Sequence, residues 1–141
     1  MSPEENKAIV RRVVEEVLST GDLDKLDQFI AADGVDHSLP PDLPANLEGF
    51  RLFFASFRAA FPDLHYHIQD EIAEGDKVMQ RVTGHGTMQG EFQGMAATGK
   101  EGKWTEMHMV RLAEGKIVEH WASIDQLGMM IAVGLMPPPG G

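Results

Sequence analysis

Glu106, His108 and His120 lie in a stretch of alternating apolar and polar residues that is broken once, by Ala113-Glu114-Gly115. An imidazole titrates near neutral pH, and a carboxylate held among apolar groups rises toward the same range. Together they can take a proton from one atom and return it to another. Whether they meet depends on the bend. A two-residue Glu114-Gly115 turn would force Glu114 to a positive φ, whereas a three-residue loop leaves only Gly115 at the left-handed position, and the three-residue loop is preferred. Its register sets Val110 opposite Val118, His108 opposite His120, Glu106 opposite Ala122 and Trp104 opposite Ile124. One face then carries Trp104, Glu106, His108, Val110, Val118, His120, Ala122 and Ile124, the composition of an apolar pocket with a few polar groups. The other carries Thr105, Met107, Met109, Arg111, Ile117, Glu119, Trp121 and Ser123, with Met107, Met109 and Trp121 suited to a homodimer contact. The reverse assignment would turn Trp121 and Asp125 inward.

Other residues compete for a role. Asp125 precedes the last helical segment, where a cap explains it as well as chemistry does. His37, beside Asp36 in a proline-rich stretch, is placed over the mouth of the pocket. His65 and His67 stand two apart on one strand face, and a metal would need a third convergent ligand such as His85. The sequence supplies no such convergence, so no metal is expected and the pair is read as an exposed polar face. Gly84-His85-Gly86 and Gly90 sit within strands rather than before a helix, so they mark bulges or curvature and not a phosphate loop.

The elements that must position these groups follow from periodicity. Ser2, Pro3 and Glu5 form a capping-box start for a helix carrying Val10, Val13, Val14, Val17 and Leu18 on one face and stopping at Gly21. Asp22 is placed to cap a second short helix with Leu23, Leu26, Phe29 and Ile30 on its stripe. Residues 33–46 read as a long loop. Asn46 opens a third helix whose Phe50, Phe53, Phe54, Phe57 and Phe61 recur on one side up to Pro62, and Phe54 and Phe57 are assigned to the pocket wall. From Leu64 the period becomes two, predicting strands over about 64–73, 77–89, 103–112 and 116–124. A last short helix follows Ser123. The expectation is one α+β domain over 1–136, a curved antiparallel sheet laid over three N-terminal helices, with a loose tail at 137–141.

Composition limits what such a domain can bind. Twelve Lys and Arg against 22 Asp and Glu give a net charge of −10, the wrong sign for a phosphate backbone or an anionic membrane surface. There is no cysteine, which removes disulfides and thiolate chemistry. With no apolar run long enough to span a bilayer and no basic leader at Met1, a cytoplasmic location is expected.

Several fragments, in order, carry a resemblance: Glu5-Asn6-Lys7 with Val10-Arg11-Arg12, Gly21-Asp22-Leu23-Asp24, Val35-Asp36-His37, Phe57-Arg58-Ala59-Ala60-Phe61-Pro62-Asp63-Leu64, Gly90-Glu91-Phe92-Gln93-Gly94, His108-Met109-Val110-Arg111, Gly115-Lys116-Ile117-Val118-Glu119-His120-Trp121 and Leu127-Gly128-Met129. Over almost its whole length the chain resembles the SnoaL-like polyketide cyclases, or ester-cyclase-like proteins, of the nuclear transport factor 2-like superfamily. The resemblance implies a cone-shaped α+β barrel, usually dimeric, with an apolar pocket. It also implies intramolecular aldol closure of a small apolar carbonyl compound without metal or organic cofactor. It assigns a catalytic histidine to His108 and an acid/base aspartate to the position of Ala122. Alanine transfers no proton, so Glu106 is expected to supply the carboxylate, with His108 and His120 as its partners. The alternatives are a non-catalytic pocket protein that binds a small apolar or aromatic ligand, and an oligomerisation module with no ligand.

Overall fold

The structure is a computed structural model describing residues 1–140, so Gly141 of the expected tail lies outside the described residues. The Ser2 hydroxyl accepts from the Glu5 amide at 3.1 Å and the Glu5 carboxylate accepts from the Ser2 amide at 3.2 Å, closing the capping box of α1 (Pro3–Arg12). The helix widens into a π-helical segment over Val13–Leu18. The next helix, Leu23–Gln28, is a 3-10 helix that Asp22 does not cap; the Asp22 carboxylate lies 3.7 Å from Lys25 Nζ instead. The Asn46 side chain accepts from the Gly49 amide and starts α2 (Leu47–Ala60).

Five strands form one sheet: β1 (Ile30–Asp36), β2 (His65–Glu74), β3 (Lys77–Thr87), β4 (Glu101–Ala113) and β5 (Lys116–Ile124), in the order β1-β5-β4-β3-β2. The last four form the expected antiparallel meander. β1 was expected to be mainly loop, but it runs parallel to β5, so the sheet is mixed. Ile30-Ala31-Ala32-Asp33-Gly34-Val35-Asp36 has no alternating pattern, and its pairing is interrupted between Ile30 and Val35, which hides it from a period-two search. α3 (Gln126–Ala132) starts at Asp125, whose carboxylate accepts from the Gly128 amide at 2.8 Å; Ser123 is not the cap. No helix among the described residues is long and apolar enough to cross a membrane.

The β4–β5 hairpin departs from expectation twice, by one residue each time. Its turn has two residues, with Ala113 paired to Lys116, Glu114 at φ 52° and Gly115 at φ 80°. Both central φ values are positive, as a type I′ turn requires, and its twist matches that of the strands. Beyond Leu112–Ile117 the register shifts at Val118, so Arg111 faces Glu119, Val110 faces His120, His108 faces Ala122 and Glu106 faces Ile124. The turn changes the face of every following side chain and the bulge changes it back. Glu106, His108, Val110, His120, Ala122 and Ile124 therefore share the inner face as expected, but with new partners, and Ile117 rather than Val118 is the buried residue next to the turn. Because Glu114 occupies a left-handed position that suits asparagine, Glu114→Asn should raise stability by about 0.5–1 kcal/mol. Urea unfolding of the two proteins checks this.

The helices cover the inner face. Phe54, Phe57, Phe61, Leu64, Tyr66, Trp104 and Met129 form one buried cluster. Val10, Val13, Val17, Leu26, Val110, Leu112 and Ile117 form a second. Between α2 and the sheet they leave a cavity of about 370 Å³.

Candidate active site

β4 carries the centre of the site. Trp104, Glu106 and His108 alternate inward along it, opposite Gly84, Val82 and Gln80 of β3. A methyl group at position 84 would lie 2.8 Å from Trp104 Nε1 and 3.0 Å from Tyr66. Gly84 is thus the gap that admits the indole; β3 has continuous register there, and the β2–β3 bulge lies at Ile68–Asp70 instead. The indole donates from Nε1 to Glu106 Oε2 at 2.8 Å. Glu106 is 1 % exposed, yet it faces the cavity.

From Glu106 a chain of short contacts crosses to β1. Glu106 Oε1 lies 2.7 Å from His108 Nε2, His108 Nδ1 lies 2.9 Å from His120 Nε2, and His120 Nδ1 lies 2.9 Å from Asp36 Oδ2. The two histidines are diagonal neighbours, since His120 pairs directly with Val110, and their rings are within 11° of parallel. The parallel register puts Asp36 beside His120. Ser38 closes the far end, donating to Asp36 Oδ1 from its amide at 2.9 Å and from its hydroxyl at 2.6 Å.

These contacts determine where the protons sit. Burial alone would raise the Asp36 carboxyl, but the hydrogen bond and charge of His120 and the two donations from Ser38 outweigh it and hold it below its ordinary value. Burial pushes the His120 imidazole down against the pull of Asp36, and the neighbouring His108 pushes it further. Near neutral pH, therefore, Asp36 is ionised and neutral His120 donates to it from Nδ1. His120 Nε2 then has only a lone pair, so His108 donates to it from Nδ1. His108 Nε2 and Glu106 Oε1 are 2.7 Å apart, close enough for a proton to pass between them.

Both shifts carry a sign for stability. Unfolded His120 takes up a proton below its ordinary value of 6.5 while the folded residue resists, so stability falls from there downward. Asp36, depressed in the fold, contributes above the ordinary value of 3.8, and that contribution is lost as pH falls through 3.8 toward the lower folded value. Asp36→Asn should cost about 1–3 kcal/mol near neutral pH, remove the slope below 3.8 and steepen the one below 6.5, because the pull of Asp36 on His120 is lost. Urea unfolding of both proteins from about pH 7 to about pH 2 measures the two slopes.

The remaining cavity wall includes Phe50, Phe53, Phe54 and Phe57 of α2 with Ala122 and Ile124 of β5. Tyr66 also lines it. Burial and the adjacent Glu106 carboxylate push its phenol well above its ordinary value, so it stays protonated. Three residues expected in the lining are not there. Trp104 stands behind Glu106, 26° from parallel to the Phe57 ring. His37 alternates outward from Asp36, stacks on Trp121 at 5.0 Å and contacts Glu119 at 2.9 Å. Asp125 is spent on its cap. Asp36 and Ser38 take the place foreseen for His37. Their signal, an acid two residues before a serine at the end of Ile30–Asp36, has meaning only once β1 is known to adjoin β5. Outside the site, the β2–β3 pairing brings His85 beside His65 and His67, a proximity the sequence could not supply.

A family model described as SnoaL-like polyketide cyclase matches residues 8–133. The chain is 30% identical over 138 residues to aklanonic acid methyl ester cyclase DnrD of Streptomyces peucetius, covering 94% of both chains. Among solved structures, AclR of Streptomyces galilaeus superposes with a TM-score of 0.85 at 30% identity, covering 96% of this chain and 100% of that one. IdmH of Streptomyces antibioticus does so at 0.81 and 32%, covering 92% and 98%. With its helices, curved sheet and match over most of its length, the chain belongs to the SnoaL-like polyketide cyclase family.

Proposed function

We propose that the chain closes a ring by an intramolecular aldol-type reaction on an apolar aromatic carbonyl compound, with Glu106 as the acid/base. The observation that carries this is the 2.7 Å contact between Glu106 Oε1 and His108 Nε2 in the wall of an apolar cavity. A cavity of about 370 Å³ with four phenylalanines on one side suits a flat, fused-ring ligand.

Ionised Glu106 removes a proton from a carbon beside a carbonyl. The electron pair left on that carbon attacks a second carbonyl carbon of the same molecule, forming the carbon–carbon bond and an alkoxide. The proton held between Glu106 and His108 passes to the alkoxide oxygen. One proton moves from carbon to oxygen, the mass is unchanged, and no oxidant or reductant enters. The protonated Tyr66 phenol supports the reading as a donor to the developing negative oxygen. Ala122 faces His108 and leaves open the volume that an aspartate would fill. Asp36 fixes the tautomer of His120, and through it that of His108.

The relatives named as aklanonic acid methyl ester cyclases supply the probe. The chain is incubated with aklanonic acid methyl ester in D2O and followed by chromatography with mass spectrometry. The expected result is a product of changed retention and, in the recovered substrate, deuterium at the carbon that loses its proton, where proton removal has reversed before ring closure. A second reading, binding without turnover, is favoured by the engagement of both ring nitrogens of His108 and of His120 within the network. It predicts saturable binding of the same ester with neither product nor exchange, and that outcome would remove the first reading.

A further inference from the structure

The outer face of the sheet carries a second group of histidines, far in chemistry from the cavity. His65 of β2 pairs directly with His85 of β3, and His67 lies two residues along on the same face. The three ring centroids are 4.7 Å (His65 to His67), 5.5 Å (His65 to His85) and 5.2 Å (His67 to His85) apart. Nε2 of His67 and Nε2 of His85 approach to 3.3 Å, with the rings within 12° of parallel. His65 and His67 are exposed and His85 is half-buried.

Two nitrogens bound at about 2.0–2.1 Å to one tetrahedral ion stand about 3.3–3.4 Å apart, the edge of that tetrahedron. His67 and His85 hold this spacing, but as a ring hydrogen bond in which one nitrogen points at the other. As they stand, no three such side chains among the described residues converge on one point. To bind an ion, that hydrogen bond opens and the three adjacent rings turn toward a common point, which the exposure of His65 and His67 permits. Asp63, tied to the Thr87 amide at 2.7 Å and hydroxyl at 2.8 Å, adds a negative charge near His85 without competing as a ligand.

We propose that His65, His67 and His85 form a binding site for one divalent transition-metal ion of the zinc, nickel and copper class, with the fourth position open to solvent. Imidazole nitrogen favours these ions over magnesium or calcium, which take oxygen donors. The bound ion would bridge β2 and β3 and tie the edge strand to the sheet.

The test is isothermal titration of the untagged full chain with zinc chloride, with histidine side-chain NMR spectra before and after. The expected result is one zinc per chain at micromolar affinity, with ring signals of His65, His67 and His85 moving and those of His108 and His120 unchanged. His67→Ala, at an exposed position where folding is not at stake, should weaken binding at least tenfold, as should His85→Ala. Excess zinc should raise the unfolding midpoint of the unmodified chain by several degrees and leave that of the double variant, His67→Ala with His85→Ala, in place. Magnesium should give no heat. Absence of saturable zinc binding would overturn the proposal, and so would zinc binding that persists unchanged in the double variant, because the ion would then sit elsewhere, in the cavity or at a carboxylate cluster.

Discussion

Glu106→Gln is expected to slow conversion of aklanonic acid methyl ester by about 10²–10⁴-fold while leaving the fold in place, which corresponds to loss of one general acid/base. The substitution is nearly isosteric. The amide oxygen can still accept from Trp104 Nε1, and the amide nitrogen can donate to His108 Nε2, so neither buried partner is orphaned. What disappears is the movable proton: glutamine cannot ionise, and His108 is left with Nδ1 donating to His120 and Nε2 accepting from the amide. Deuterium exchange at the substrate carbon should fall together with product formation, because both begin with the same proton removal. Equal rates in the two proteins would show that Glu106 is not the base. A matching unfolding midpoint confirms that the comparison concerns chemistry and not folding.

Phe57→Ala is expected to cost about 3–5 kcal/mol, a lowering of the unfolding midpoint on the order of 10 °C. Phe57 is 2 % exposed, and its ring lies against those of Phe53, Phe54, Phe61, Phe92 and Trp104 at centroid distances of 5.2–6.2 Å. Truncation removes the apolar transfer contribution and leaves a void opening toward the existing cavity, where neighbouring side chains have little to press them inward. The indole that orients Glu106 loses its flanking ring in the same change. Urea unfolding monitored by tryptophan fluorescence reads both effects, and a loss below about 1 kcal/mol would show that the aromatic cluster rearranges to fill the space.

The parts of this architecture that could be read from the chain are those fixed by near neighbours. The Ser2 capping box, the Asn46 cap and the phenylalanine period of α2 are each decided within four residues, and the structure shows all three. The inner-face set on β4 and β5 emerged for a less direct reason. The turn was expected to have three residues and has two, because the twist of a type I′ bend outweighs the strain at Glu114; the added residue at Val118 then restores the alternation. Side was legible and pairing was not, so Ala122 lies across from His108 rather than Glu106. Asp36 escaped because its role depends on a parallel partner more than 80 positions away, and no local pattern encodes it. The same holds for His85, whose place beside His65 and His67 is set by strand register.

The parallel contact between β1 and β5 also bears on when the hydrogen-bonded chain from Glu106 to Asp36 is completed. His120 and Asp36 are 84 positions apart, so the imidazole pair is anchored only after the most distant strands have met. The hairpin that carries Glu106 and His108 is local and can form early, whereas joining it to the first strand closes a long loop and is slow. A nascent or partly opened chain thus exposes an apolar groove in which His120 lacks its Asp36 anchor. Detachment of the first strand would break the hydrogen-bonded chain before the rest of the sheet came apart.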